Sequence, residues 1–473
     1  MKRIIVLILC AIMLLGCVGC SEGGSSAAGS GQGKGGFKVG FSRYNITPEV
    51  SVGLAGYGNV SDRMSDNVLS PLYLTCLAIS DAKDNTVLLY GFDSTTSDLT
   101  VTSTIRSRVS RETGIPQSNI MISATHSHST PDIEDPIFQA SVLQGAVKTA
   151  KKALAEQHET TMEIGTVETE GLAFIRHYVQ ENGNIVGDNF GDKNASPIVG
   201  HVREADSNIQ LLRFPCGDSK DIVVMNFGAH PTLTGGASKY DISADFVGAC
   251  RDKMEQELDC NFLYFTAAAG DQNATSRISE ENNYDGWKGH GQQLAEYAIN
   301  GMDALTQVKT GDVQVLEQKV EVRYCYDDGD LLQYCNLVFN AYNSGGAAAA
   351  NAVGRPLGIN SIYHARAINR RAVQKKQQGY STYVSVNTVA IGDVAFVIAP
   401  YEMFSTNGRE IKEGSPYEMT FILTLANAHY GYLAADSAFD HGCYEVDNRY
   451  FVRGTAEQMV KTYQDMLKQM KEG

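Results

Sequence analysis

Two histidines in the stretch Ser123-Ala-Thr-His-Ser-His-Ser-Thr-Pro131 are of a type and spacing that could do chemistry. They follow Asn119-Ile-Met-Ile122, an apolar run that reads as a buried strand. His126 and His128 are two apart, so an extended backbone points both imidazoles to one face. Pro131 then ends regular pairing and puts the rings at a strand exit. Imidazole is the commonest metal ligand and titrates near neutral pH, so metal binding or proton transfer is the chemistry to test. The competing reading is a polar strand end that happens to hold two histidines, and what weighs against it lies downstream.

The same arrangement returns further along the chain. Asp221-Ile-Val-Val-Met-Asn-Phe227 reads as a buried strand running into Gly228-Ala-His-Pro-Thr232, which puts His230 at a strand exit before a proline. Ser243-Ala-Asp245 predicts the cap of a helix reaching about Leu258. Asn261-Phe-Leu-Tyr-Phe265 opens into Thr266-Ala-Ala-Ala-Gly-Asp-Gln-Asn273, which carries Asp271 and Asn273. A hairpin over Thr382–Ala399, turning at Gly392-Asp393, ends in Pro400-Tyr-Glu-Met-Phe404 and leaves Glu402 at another junction. The strand Phe421–Ala426 leads to Asn427-Ala-His-Tyr-Gly-Tyr432. Polar groups gathered at strand ends are how layered α/β proteins build sites.

The remaining elements must position these junctions. Strands are predicted over Phe37–Ser42, Tyr73–Ile79 and Thr86–Gly91, and helices over Leu99–Thr113 and Phe138–Gln157. Residues 160–225 read as strand and loop, including Ala173-Phe-Ile-Arg-His-Tyr178, with helices near 285–305, 329–343, 359–378 and 455–471. The small residues 345–354 read as a mobile loop between two of them. This pattern predicts an α/β (α+β) fold of mixed β-sheets layered with helices. The candidate groups span residues 126–444, so one large catalytic domain over residues 37–473 is expected.

Residues 1–16 read as a lipoprotein signal peptide: Lys2 and Arg3, then an apolar run from Ile4 to Leu15 too short to span a membrane comfortably. Leu14-Leu15-Gly16-Cys17 resembles a bacterial lipobox, with Cys20 a second candidate anchor, and residues 21–36 form a Gly/Ser-rich tether. A protein lipid-anchored to the extracytoplasmic face of a bacterial membrane is therefore expected. Losing Lys2 and Arg3 takes Lys+Arg from 39 to 37 against 54 acids, moving the net charge from −15 to −17. Such a body repels phosphate backbones and anionic headgroups, which excludes nucleic-acid partners and a polybasic membrane patch. The seven cysteines beyond the signal are scattered and odd in number, so buried free thiols are expected rather than disulfides.

Together, Thr125-His-Ser-His128, Asn226-Phe-Gly-Ala-His-Pro231, Ser243-x-Asp245, Gly270-Asp271, Tyr401-Glu402 and Asn427…Gly431-Tyr432 form an ordered set. That set resembles the neutral/alkaline, non-lysosomal ceramidase family across essentially the whole mature chain. The resemblance implies a Zn²⁺ amidase in which His126, His230, Glu402 and Tyr432 hold the metal. The residues alone leave open whether His126 or His128 is the direct ligand. It also implies that His128, Arg176 and Tyr444 face the same cleft, polarising the substrate carbonyl and stabilising the oxyanion.

The sequence departs from the family in two places. Asn273 stands where the family's catalytic serine is expected, and only 29 residues follow Tyr444, too few for the family's immunoglobulin-like C-terminal domain. The function expected is hydrolysis of the amide of an N-acyl lipid or N-acylated small molecule by metal-bound water. Asp271 would act as the base or, equally, only pin its loop. An ester or lactone hydrolase on the same site and a metal-stabilised binding lipoprotein are the alternatives.

Overall fold

Tyr73–Ser80 and Thr86–Phe92 are buried at nearly every position, as strands covered on both faces must be. In the computed structural model these strands, β2 and β3, pair antiparallel, with β1 (Lys38–Asn45) beside β2. The structure describes residues 37–473 apart from 58, 59, 283 and 327. The expected signal peptide, Cys17, Cys20 and the Gly/Ser-rich tether lie outside the described residues.

Each of three sheets finishes in one parallel pair. In the first, β3 runs parallel to β4 (Ile120–Ala124). The second contains β5 (Met162–Glu168), β6 (Asn208–Phe214), β7 (Ile222–Phe227) and β8 (Asn261–Thr266), with β7 parallel to β8. The third contains β9 (Val313–Arg323), β10 (Ser381–Ile391), β11 (Val394–Ile398) and β12 (Met419–Leu423), with β11 parallel to β12. A parallel pair needs a crossover, and a helix supplies each one: α1 (Leu99–Thr113), α3 (Asp245–Leu258) and α7 (Ser405–Glu413). Each of these three sheets, among the described residues, therefore contains a βαβ unit.

Alternate residues of all three sheets point inward to one apolar core, where Leu89 and Met121 meet Val224, Leu263, Phe396 and Phe421. The outer faces are covered by α1 and α2 (Pro136–Ala155), by α3 and α4 (Gly286–Gly301), and by α7 with the C-terminal helix Thr455–Glu472. Helix α1 shows the local logic. The Asp98 carboxylate accepts from Thr100 N at 2.8 Å at the start, and Gly114, at φ 80°, closes the end as its sequence predicts.

The three sheet edges β4, β8 and β12 meet. The backbone N–H of Asn427 donates to Ile122 O at 2.8 Å, and Thr424 N donates to Thr266 O at 3.1 Å. Consequently the C-terminal ends of all three parallel pairs empty into one place. Layered α/β proteins bind ligands outside the carboxyl ends of parallel strands.

Two local expectations are corrected. Residues 345–354 are not a loop but the second half of α5 (Cys335–Gly354), broken only at Gly345 and at Gly346 with φ 66°. The run Ala347–Ala350 has the strongest helix propensity available, so helix resumes directly after the glycines. Ser243 does not cap α3 in the usual way: its hydroxyl accepts from Asp245 N at 2.9 Å, and the helix begins at Asp245 itself. All seven described cysteines are free and buried.

Candidate metal centre

His126 lies two residues past β4, with φ 70°, a conformation uncommon outside glycine. Its N–H donates to Ser94 O at 2.9 Å in the loop between β3 and α1. Its Nδ1 bonds Thr95 O at 2.6 Å in the same loop. His230, three residues past β7, does the equivalent with Ala269 O at 2.7 Å, on the loop that leaves β8. A carbonyl oxygen only accepts, so both Nδ1 atoms carry the proton and both Nε2 atoms present lone pairs.

Those lone pairs face each other. His126 Nε2 lies 3.1 Å from His230 Nε2 and 3.4 Å from His128 Nε2. Glu402 Oε2 is 3.3 Å from His126 Nε2 and 3.2 Å from His230 Nε2. Acceptors buried this close repel unless a proton or a metal ion sits among them. Tetrahedral zinc, with bonds of about 2.0–2.1 Å, places neighbouring donors roughly 3.3 Å apart, so the observed spacing fits a bound metal ion. His126, His128 and His230 bring three ring nitrogens within 4.8 Å of one another. His126 and His230 belong to both that group and the one completed by Glu402.

The electrostatics agree. Burial, then the neighbouring His126 and His230, push His128 well below an ordinary histidine, so it is neutral. His230 falls to about 4, chiefly through burial and then Arg176. Burial opposes ionisation of Glu402, yet His126, His230 and His429 outweigh it and hold the carboxyl well below the usual range. Neutral His128 and His230 and an ionised Glu402 are in the protonation states a metal requires.

Glu402 is placed by backbone. Residues Glu402–Met403 pair in parallel with Tyr432–Leu433, with Glu402 opposite Tyr432. Gly270 approaches so closely that a Cβ there would lie 2.5 Å from Glu402 O, and its N–H donates to Met403 O at 2.7 Å. Arg176 completes this side. Its Nε donates to Glu445 Oε1 at 2.6 Å, and its Nη2 donates to Gly270 O at 2.7 Å and to Tyr432 Oη at 3.2 Å. The Tyr432 ring lies 5.7 Å from that of Tyr444. Burial, then Glu402, raises both phenols, so both keep their protons as donors in the metal-free protein.

The structure thus brings together His126, His128, His230, Glu402, Arg176, Tyr432 and Tyr444. It does not turn Asp271 or Asn273 toward them. Asp271 Oδ1 accepts from Ser405 N at 2.7 Å, while Oδ2 accepts from Ser405 Oγ at 3.2 Å and pairs with Arg203. Both oxygens serve the start of α7, which favours loop pinning over the role of base. The Asn273 amide donates to Asp188 Oδ2 at 2.9 Å. Two neighbours escaped the sequence reading. His429 Nε2 meets Glu402 Oε1 at 3.2 Å, and Glu445 joins His177 at 2.8 Å to Arg176. The only signals for them were a histidine three residues before Tyr432 and a carboxylate directly after Tyr444.

No protein-family model matches the sequence, and no curated protein matches it. Solved structures do. Neutral ceramidase from Pseudomonas aeruginosa superposes with TM-score 0.68 at 16% identity, covering 92% of this chain and 74% of that one. The fold is shared with ceramidases. A ceramidase complexed with C2 gives the same TM-score and identity over 92% of this chain and 75% of its own. At this identity the likeness concerns architecture, so what this ceramidase-like fold does rests on its own side chains.

Proposed function

We propose that this protein is a zinc-dependent hydrolase that cleaves the amide bond of an N-acyl lipid or N-acylated small molecule. The observation that carries the reading is the convergence of His126, His230 and Glu402, all presenting lone pairs at 3.1–3.3 Å, on the ceramidase fold. Zinc bound there would polarise the substrate carbonyl and make a water acidic enough to attack at neutral pH.

The protein's own groups supply the rest. Thr95 O and Ala269 O fix the tautomers of His126 and His230, so the donors need not reorganise. His128 is neutral and half-buried beside them, able to hold a proton between water and leaving amine. Arg176 is locked by Glu445 and Gly270 O, and its Nη1 has no hydrogen bond among the described residues, which leaves it for a substrate oxygen. Together with the Tyr444 hydroxyl it would stabilise charge developing on that oxygen. Tyr432, register partner of Glu402, would be the fourth residue to hold the metal, whose charge would favour its phenolate.

Asn273 has no nucleophilic atom, so reaction by direct attack of water, without an acyl-enzyme, is part of this reading. The site would work at a membrane surface if Cys17 is lipidated. The deciding experiment is hydrolysis of generic N-acyl amides by protein loaded with zinc, then stripped and reloaded. Turnover should vanish on chelation and return with metal, and absence of turnover with every divalent metal would overturn the reading.

A further inference from the structure

Beside the metal centre lies a cavity of about 610 Å³, within the size range of small-molecule sites, lined in part by Tyr57, Arg63, Lys239, Tyr240, Tyr342 and Arg366. It adjoins the reacting groups at two points. The Tyr57 ring stands 5.1 Å from that of His128, and its hydroxyl donates to Thr232 O at 2.8 Å, just past His230. On the other side, α6 (Ile362–Gln378) carries Arg366 and Tyr363, and the Tyr363 ring is 5.7 Å from that of Tyr444.

The charge of this cavity is unlike that of the rest of the chain. The protein is strongly acidic, at −15, yet three cations and one acid, Asp62, line this wall. Arg63 is only 5% exposed, and its guanidinium donates entirely to carbonyls: Ala55 O at 2.7 Å, Lys239 O at 2.7 and 2.9 Å, and His128 O at 3.3 Å. Carbonyl dipoles satisfy its hydrogen bonds without cancelling its charge, so its field extends into the cavity. Arg366 lies over the rings of Tyr342 and Tyr363 at 5.7 and 5.8 Å, and Lys239 over Tyr240 at 4.8 Å. None of the three has a carboxylate partner among the described residues. A half-buried guanidinium stacked on aromatics keeps its planar fork free for a carboxylate or phosphate.

We infer that the substrate carries an anionic group, seated between Arg366, Lys239 and the field of Arg63, while its amide lies against His128 and Tyr444. The substrate class narrows to acidic N-acyl compounds: N-acyl amino acids, or N-acyl amines bearing phosphate. This rests on the amide-hydrolase reading for its chemistry but not for its binding, and the two can fail separately.

The test uses uncleavable ketomethylene isosteres of N-octanoylglycine and of its uncharged primary amide, titrated into purified protein by calorimetry. A second pair, the isosteres of N-octanoyl-phosphoethanolamine and N-octanoylethanolamine, distinguishes phosphate from carboxylate. At least one anionic member should bind about tenfold or more tightly than its neutral partner. In Arg366→Gln that preference should collapse, and Lys239→Gln should reduce it more modestly. Arg63 is left in place because its donors hold three backbone segments together. Equal affinity for charged and neutral members overturns the inference, as does an Arg366→Gln variant that weakens both alike. Turnover is then measured on the amides themselves. Equal kcat/KM for charged and neutral amides removes the anion site and leaves the hydrolase. Anion-selective, Arg366-dependent binding without any turnover removes the hydrolase and leaves the anion site.

Discussion

Two buried groups in this protein each bring three metal-capable atoms within 4.8 Å: His126, His128 and His230, and His177, Cys443 and Glu445. Both include buried histidine, but the first is three imidazoles and the second adds a thiol and a carboxylate. In the first group the Nδ1 atoms of His126 and His230 are spent on carbonyls, which turns their Nε2 atoms toward each other and toward His128. In the second, Glu445 already holds two donors, Arg176 at 2.6 Å and His177 at 2.8 Å. Burial opposes its ionisation, but Arg176 and His177 pull it far below the normal carboxylate range. Arg176 pairs directly with the carboxylate of the second group, whereas it acts on His128 and His230 of the first without a direct bond. On the proposed reading, donor type and proximity do not suffice for a metal site, and what separates the two groups is that the carboxylate of the second is already paired.

The largest effect that could break this contrast is on metal content. Protein with His230→Ala or Glu402→Ala should fall from about one zinc per chain to none, measured by elemental analysis, while Cys443→Ser should keep its full complement. Loss of metal from Cys443→Ser alone would reverse the assignment. Next comes Glu445→Gln, which leaves Arg176 buried without its carboxylate. Unfolding in urea should show a loss of about 3–5 kcal/mol, with zinc still bound. A zinc-free, equally stable variant would show that Glu445 serves the metal.

Acid should separate the two groups by pH window in the metal-free protein. Histidines held below their unfolded value bind protons more weakly when folded, so their contribution is complete above 6.5. For His230, with a folded value of about 4, it is lost as pH falls from 6.5 toward 4. Glu445, depressed from 4.5, contributes fully above that value and loses its share only below it. Urea midpoints taken from pH 7 down to about pH 3 should show both falls, and Glu445→Gln should abolish only the lower one. The smallest effect is that of Asp271→Asn. With both oxygens on α7 and Arg203, the variant should lose about 1–3 kcal/mol of stability and less than about tenfold in turnover. A loss beyond a hundredfold with zinc retained would restore Asp271 as the base.

What the sequence disclosed follows the same contrast. Strand exits were legible because β4, β7, β8, β11 and β12 are short apolar runs ended by polar residues or proline, and His126, His230 and Glu402 stand within a few residues of β4, β7 and β11. Hidden was everything set by tertiary pairing. Thr95 O and Ala269 O are backbone atoms with no signature in residue type. Glu445 and His177 meet across |i−j| of 268, and His429 looked like one more polar loop residue. The alanine run of α5 was misread because two glycines hid a strong helix former behind a breaker. Arg63 gave no sign of burial, since a lone arginine in a polar loop is ordinarily at the surface.

The meeting of three sheet edges has a consequence for how the protein survives. No single βαβ unit owns the donors: His126 and His230 follow strands of two sheets, and Glu402, beyond β11 of the third, sits in the short pair with Tyr432. The site therefore needs all three sheets in place, so an ion held there would favour the folded chain over any part of it. Occupancy and folding become one linked equilibrium. Free metal at about a thousand times its dissociation constant would add roughly 4 kcal/mol to the stability of the entire chain. On the proposed reading, scarcity of the ion would be felt as a lower melting temperature of the whole chain.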